Sequence, residues 1–170
     1  MRNSFFYLSV LIYLTFTSNL VSQELKITSS EVQYDNINKI TVFKGGVSST
    51  DQKGNKLFSE YIKYDKLKEL IETKGDSKII TSAGYEVFGT DMVFNNNKNV
   101  IYSNNKTQII DRDGNNISVD MFNYSILSNI FFSKGNIKIK DINNNNYNFS
   151  EIYIDENKKK NYRFWCKSFF

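Results

Sequence analysis

The residue types that most often carry enzymatic chemistry are scarce in this chain of 170 residues. It contains no His and only one Cys, Cys166. Without His there is no Ser-His-Asp or Cys-His relay and no imidazole ligand for a metal. A single Cys makes neither an intrachain disulfide nor a thiolate zinc cluster. We therefore expect no catalytic residue, no metal and no cofactor, and we predict that the protein is not an enzyme.

One acidic stretch has some features of a calcium-binding loop. Asp111-Arg112-Asp113-Gly114-Asn115 supplies carboxylates at alternate positions. A calcium loop of the EF-hand type needs Gly at its sixth position and Glu at its twelfth. Here Gly114 is fourth and Phe122 is twelfth, so we interpret the stretch as a β-turn. Other acids, such as Asp91 and Glu151, fall at expected strand starts rather than converging in a cleft, as paired catalytic carboxyls must.

The charge balance is close to neutral. There are 22 Lys and Arg residues against 18 Asp and Glu, which gives a net charge of +4. This excess is too small to indicate a nucleic-acid partner. The length suits one domain, which can bury a sizeable core without a disulfide or metal.

The first 22 residues have the layout of a secretory signal peptide. Arg2 precedes an apolar run from Phe5 to Leu14, and small or polar residues follow up to Ser22. The run is shorter than the ~20 apolar residues that a membrane-spanning helix needs. We predict cleavage after Ser22, with an uncleaved anchor as the alternative, and export of the remaining chain.

The body of the chain is an ungapped repeat of 30 residues. Rings recur at Tyr34, Tyr64, Phe94 and Tyr124, with Ile154 in the fifth copy. Several further columns keep this register: one apolar column is Ile40, Leu70, Val100 and Ile130, another is Ile79, Ile109 and Ile139, and a turn column is Gly54, Gly84, Gly114 and Asn144. Such self-similarity indicates stacked units that bury a continuous core only together.

Each unit is predicted to be β. Apolar residues alternate with polar ones, and most of them are β-branched or aromatic, as half-buried strands prefer. Asn-, Gly- and Asp-rich stretches between them are typical of tight turns. A helix over residues 63–73 is the alternative, because Leu67, Leu70 and Ile71 have helical spacing, but the repeat register favours strands there. From residue 156 to 170 the register fails, which predicts an irregular or truncated tail that includes the basic cluster Lys158-Lys159-Lys160.

The repeat resembles the OstA-like family of lipopolysaccharide-transport proteins. Residues 54–65, Gly-Asn-Lys-Leu-Phe-Ser-Glu-Tyr-Ile-Lys-Tyr-Asp, carry this resemblance most clearly, and it extends over roughly residues 24–155. The family includes the periplasmic protein LptA and the N-terminal domain of the outer-membrane assembly protein LptD. Overall similarity favours the LptD domain, in which case the chain is a truncated relative without the large barrel, whereas the length fits LptA.

The resemblance implies a V-shaped antiparallel β-jellyroll over residues 23–155 with an apolar slot between two sheets. It also implies periplasmic carriage of lipopolysaccharide to the outer membrane, with the acyl chains in that slot. The repeat columns supply the candidate slot residues, which are the apolar positions of the alternating strands: Val32, Tyr34, Ile40, Val42, Ile62, Tyr64, Leu70, Met92, Phe94, Val100, Tyr102, Phe122, Tyr124, Ile130 and Phe132. Sequence alone leaves open whether each of these lines an open slot or belongs to a closed core.

The partners implied by the resemblance are lipopolysaccharide, other β-jellyroll domains of the Lpt type and an outer-membrane barrel. The open strand edges, residues 25–34 and 148–155, are candidates for edge-to-edge pairing with another domain. A secreted structural or adhesive β-repeat protein with a closed core is the alternative. It differs from a transport element in filling the space between the sheets with side chains.

Overall fold

The computed structural model describes residues 26–155 and residue 157. The predicted signal peptide, Cys166 and the basic cluster of the tail lie outside the described residues. Every regular element of residues 26–155 is a β-strand, which confirms the all-β prediction. The strands are β1 Lys26–Thr28, β2 Glu31–Asp35, β3 Ile40–Thr50, β4 Lys56–Asp65, β5 Leu70–Thr73, β6 Asp76–Ile80, β7 Glu86–Thr90, β8 Val93–Asn95, β9 Val100–Ser103, β10 Thr107–Ile110, β11 Asn116–Val119, β12 Phe122–Ser125, β13 Ile130–Lys140 and β14 Asn146–Asp155.

The 14 strands of this described range are all paired antiparallel and form two layers. The first layer has the order β2-β3-β4-β5-β8-β9-β12-β13-β14. The second has the order β1-β3-β4-β6-β7-β10-β11-β13-β14. The long strands β3, β4, β13 and β14 pass through both layers and join them. The intervening strands contribute one short segment to each layer.

The 30-residue period predicted from sequence is the period of the structure. First-layer turns span residues 36–39, 66–69, 96–99 and 126–129, and second-layer turns span residues 51–55, 81–85, 111–115 and 141–145. The alternative of a helix over residues 63–73 is wrong, because β4 continues to Asp65 and β5 begins at Leu70. Among the described residues no helix is long and apolar enough to cross a membrane.

Three of the four second-layer turns among the described residues begin with Asp and share one side-chain hydrogen-bond pattern. In the turn that begins at Asp111, the carboxylate accepts hydrogen bonds from the backbone N–H groups of Asp113 and Asn115, both at 2.9 Å, and from the Asn115 side chain at 2.7 Å. Turns beginning at Asp51 and Asp141 repeat this arrangement. The stretch that has some features of a calcium loop is therefore a tight turn whose carboxylate binds its own backbone.

Strands bend where they pass from one layer to the other. In β3 the pairing register shifts between Lys44 and Val47, and Gly45 and Gly46 both have positive φ, at 74° and 60°. In β13 the shift lies between Lys134 and Ile137, with Gly135 at 113°. Such bulges add a residue to one strand and increase its local twist. These glycines let a single strand serve two layers.

The core lies between the layers and is continuous from one end to the other. Two clusters of buried side chains meet along it: Val47, Leu57, Ile62, Ile79 and Met92 in one, and Ile109, Ile117, Val119, Phe122, Ile137, Ile139 and Ile152 in the other. Partly buried Val87 and Ile101 pack against both clusters. Each repeat therefore completes the core of its neighbours.

Candidate functional site

The facing surfaces of the two layers, here called the inner face, carry two apolar rows that cross the strands. Residues paired across antiparallel strands lie side by side on one face of a sheet, so the pairing register defines each row. The first-layer row is Tyr34, Thr41, Tyr64, Ile71, Phe94, Ile101, Tyr124, Phe131 and Ile154. The second-layer row is Ile27, Ser49, Leu57, Ile79, Val87, Ile109, Ile117, Ile139 and Tyr147.

Burial along the inner face changes with distance from the line where the layers join. At that line Ile62, Met92 and Ile137 have at most 1% of their surface exposed. Small hydroxyl side chains are buried there too, and Ser77 donates to Ser59 at 3.1 Å. Further from the line, most side chains of the first-layer row are half-buried. The inner face thus has a filled apex and a partly accessible apolar band.

Eight of the fifteen candidate slot residues lie on the inner face, and they differ in burial. Ile62, Met92 and Phe122 are packed core. Tyr64, Phe94 and Tyr124 are half-buried in the apolar band. Val32 and Tyr34 are exposed on β2 at the edge of the first layer, at 58% and 60%. The band residues and the edge residues are therefore the ones within reach of a ligand.

The other seven candidate slot residues lie on the opposite, outer face of the first layer. The register pairs Asp35 with Ile40. Tyr34 therefore pairs with Thr41, and the candidates Ile40 and Val42 on either side of Thr41 point to the opposite face. The register therefore divides the fifteen candidates between two faces. The division arises because the paired residues that close each first-layer turn are an odd number of positions apart, and because the first layer carries apolar side chains on both faces. The displaced residues are Ile40, Val42, Leu70, Val100, Tyr102, Ile130 and Phe132.

The inner face contains residues that the candidate set missed. On the first layer these are Phe43, Ile71, Ile101, Phe131 and Ile154, each of which packs against the core. Phe131 stacks on Phe122, with ring centroids 6.1 Å apart and planes 11° apart. Turn length was the signal that could have found them. When four residues separate the paired residues that flank a turn, an even-numbered residue on one strand shares its face with an odd-numbered residue on the next. On the second layer the missed row coincides with apolar columns that were visible in the repeat.

Polar groups occupy the turn side of the inner face. The Tyr124 hydroxyl donates to Asn129 at 3.2 Å, so the ring lies in the apolar band and its oxygen points to the turn. Burial raises the pKa of the Tyr64 phenol, and nearby Glu69 raises it further. Tyr64 is thus uncharged at neutral pH. An amphiphilic ligand would meet an apolar band with a polar margin.

Asp91 and two other acids near the bends have structural roles. Asp91 accepts a hydrogen bond from the Gly75 N–H at 3.0 Å and another from the Asn105 side chain at 3.2 Å. Asp120 similarly accepts the Asn136 N–H at 2.8 Å, and Glu60 accepts the Gly46 N–H at 3.1 Å. These carboxylates bind backbone donors that the bends leave unpaired. Across residues 26–155 and 157 no group of three or more acidic, His or Cys side chains is arranged to hold a metal.

Both ends of each layer are unpaired edges within the described part of the chain. Among the described strands, β1 and β2 pair only with β3, and β14 pairs only with β13. All five residues of β2 are exposed. The unpaired edge of β14 is ten residues long. Long unpaired edges are templates for adding a further strand.

The two-layer antiparallel arrangement, with long strands shared between layers and a repeat of two turns, is an LptA-like β-jellyroll. The solved structure of LptH, the LptA-homologous periplasmic component of the lipopolysaccharide transport device of Pseudomonas aeruginosa, has the same fold. The TM-score is 0.58 at 16% sequence identity, over 66% of this chain and 82% of that one. No protein-family model and no curated protein matches the sequence. The likeness establishes the fold.

Proposed function

We propose that this protein binds lipopolysaccharide in the periplasm and carries its acyl chains along the inner face toward the outer membrane, without catalysing a reaction. The observation that carries the proposal is the half-buried apolar band of the first-layer row, which continues from Tyr64 on β4 to Ile154 on β14. The fold shared with LptH supports it, and so does the predicted signal peptide.

The energetics of lipid transfer explain why such a band is useful. Exposing one CH₂ group of an acyl chain to water costs about 0.8 kcal/mol, so a chain of roughly a dozen carbons costs on the order of 10 kcal/mol. A continuous apolar surface keeps that cost low along the whole path. A band that is open to solvent on one side also lets the lipid leave, which a closed pocket would hinder.

Adjacent phenylalanines on opposite faces make a sharp test. Phe131 lies on the inner face and Phe132 on the outer face, and both are half-buried in β13. A photoreactive phenylalanine analogue is placed at either position in the purified protein, which is then irradiated with lipopolysaccharide. We expect an adduct from position 131 and none from 132. Positions Phe94 and Tyr124 extend the inner set, and Asn123 and Lys63 extend the outer one.

The result would go against the proposal if inner and outer positions reacted equally, or if no inner position reacted in a folded protein. The second result would favour a structural or adhesive β-repeat protein. That alternative rests on the packed apex, where Ile62, Met92 and Phe122 leave no room for a ligand. The half-buried positions are the ones that distinguish the two functions.

The proposed partners are other β-jellyroll domains that add to the edge strands. Over the described residues each layer has nine strands, an odd number, so the strands at its two ends run in the same direction. If a second domain of this type continues both layers head to tail, its β1 and β2 therefore lie beside β14 of the first domain and run parallel to that strand. A tail-to-tail contact between two β14 strands would instead be antiparallel. The head-to-tail joint is the one that extends the inner face in a single direction, and an outer-membrane barrel protein with such a domain is its proposed final acceptor.

A further inference from the structure

A broad hollow lies along the outer face of the second layer. It is an open trough of about 980 Å³. Its centre is a row of three paired residues on neighbouring strands, Phe58 on β4, Lys78 on β6 and Phe88 on β7. The two rings are two strand spacings apart, roughly 9.6 Å. Its lining also includes the small residues Ser59, Ser77 and Gly89, which lie where the two layers join.

Lys78 is fixed between the rings. Its ammonium lies 4.8 Å from the centre of the Phe88 ring and 2.9 Å from the Glu86 carboxylate. These two contacts favour this position of the ammonium beside the Phe88 ring. The trough therefore has a defined aromatic floor on either side of a positioned cation.

Four polar side chains around this floor are uncommitted. Asp76, Lys106, Gln108 and Ser118 line the trough, and their side chains make no hydrogen bond or ion pair with a described residue. Together they offer carboxylate, ammonium, amide and hydroxyl groups, hence both donors and acceptors. By contrast, the carboxylates of Asp91 and Asp120 bind backbone donors at the bends. The trough gathers groups that are free to bind something else.

The charges of the trough are balanced. Glu60 and Asp76 offset Lys78 and Lys106 among the residues that line it. A balanced lining gives no net attraction for a polyanion such as a nucleic acid or for a polycation. The complementary ligand is uncharged, has flat apolar faces for the rings and carries many hydroxyl groups. A pyranose chain has all three properties, because its C–H faces pack on aromatic rings while its hydroxyls bind polar side chains.

We propose that the outer trough of the second layer is a binding site for a neutral oligosaccharide, with Phe58 and Phe88 as stacking platforms and Asp76, Lys106 and Gln108 as hydrogen-bonding groups. The spacing of the rings places them under two sugar units separated along the chain. This site is on the opposite side of the second layer from the inner face, so it does not depend on lipid carriage.

Affinity electrophoresis of the purified full chain tests the proposal. Native gels contain one of four neutral polysaccharides: an α-1,4-glucan, a β-1,4-glucan, a β-1,3-glucan or a galactomannan. We expect at least one to retard the protein. Phe58→Ala and Phe88→Ala should each weaken the interaction about tenfold, the loss expected for one buried ring contact.

Tyr153→Ala is the matched control. Tyr153 is an aromatic residue of similar exposure, 43% against 36% for Phe58, but it lies on the outer face of the first layer. Retardation lost with the two Phe variants and kept with this control supports the site. No retardation by any of the four polysaccharides overturns the proposal, and so does retardation that the Phe variants leave unchanged. Thermal unfolding of each variant confirms that it is folded.

Discussion

Asp141 shows how single acidic residues stabilise this protein. The Asn145 side chain donates to its carboxylate at 2.8 Å, and the backbone N–H groups of Asn145 and Asn143 donate at 2.8 and 2.9 Å. The Asn145 side chain is the main cause that holds the pKa of Asp141 below its ordinary value of 3.8, and the backbone donors add to it. These hydrogen bonds favour the charged form of the carboxylate.

The sign of the pH dependence follows from this lowered pKa. A carboxyl whose pKa is lower in the folded than in the unfolded state stabilises the fold at pH values above 3.8, and this contribution is lost as pH falls through the lowered pKa. We expect Asp141→Asn to have a lower Tm than the wild type at pH 7. The difference between the two proteins should shrink as the pH is taken below 3.8. Thermal unfolding followed by circular dichroism over this pH range measures it.

Asp113→Asn is the control for this prediction. Asp113 is an exposed acid in the equivalent turn of the preceding repeat, where Asp111 and not Asp113 accepts the turn hydrogen bonds. Its replacement should change Tm little at any pH. Equal pH profiles for the Asp141 and Asp113 variants would contradict the assignment of the effect to the turn.

Among the elements, the second-layer turns place one position in the left-handed region. Gly54, Gly84, Gly114 and Asn144 occupy it in successive repeats, with φ between 65° and 90°. Glycine adopts such a conformation without the steric cost that a Cβ brings. A Cβ on Gly114 would also lie 3.4 Å from Cγ2 of Ile142, which is ordinary contact. Backbone conformation, and not lack of space, is therefore what selects glycine there.

We expect Gly114→Ala to lower the free energy of unfolding by roughly 1–2 kcal/mol, the cost of a left-handed conformation at a residue with a Cβ. Asn144→Gly at the equivalent turn is the matched opposite change and should be neutral or stabilising. Urea denaturation of both variants measures the difference. Equal effects of the two substitutions would show that the turn conformation is not the determining factor.

The elements also show what sequence reasoning can and cannot reach. The strands, the turns and the period were predictable, because alternation and Asx/Gly turn chemistry are local signals. The side of the sheet to which each apolar residue points was not predictable, because it depends on the pairing across turns such as residues 36–39. Ile40 and Phe132 looked like slot residues because apolar side chains line both faces of the first layer. Pairing register decides between those faces, and a shift of one residue exchanges them.

For the whole molecule, the repeat predicts which internal deletions preserve the fold. Removing residues 81–110 joins Ile80 to Asp111 and leaves every remaining column in register. Seven strands would then remain in each layer, and β6 would pair with β11 as it now pairs with β7. We expect this variant to fold with a lower Tm, because stacked repeats lose stability when neighbouring contacts are removed.

A deletion of half a repeat is the control. Removing residues 96–110 joins Asn95, at the end of a first-layer strand, to a second-layer turn. The following strands would be directed to the wrong layer, and we expect loss of the cooperative unfolding transition seen by circular dichroism. If both deletions behaved alike, the 30-residue unit would not be the structural unit of stability.

The direction of a joint between two molecules is a further property of the whole fold, and it rests on the proposed edge pairing. Residues 31–35 and 151–155 occupy equivalent positions in the repeat, so a head-to-tail parallel joint places Gln33 of one molecule beside Tyr153 of another. With Cys166→Ser as background, we expect the Gln33→Cys and Tyr153→Cys proteins to form a mixed disulfide when oxidised together. In a tail-to-tail joint the two β14 strands run antiparallel, centred on the point where β14 passes from one layer to the other. Tyr153 of one molecule then lies beside Asn148 of the other, so the Tyr153→Cys protein would instead be linked to an Asn148→Cys protein. Non-reducing electrophoresis of the two mixtures separates these arrangements. A mixed disulfide in the second mixture alone would show that the inner faces do not continue in one direction, which the proposed transport path requires.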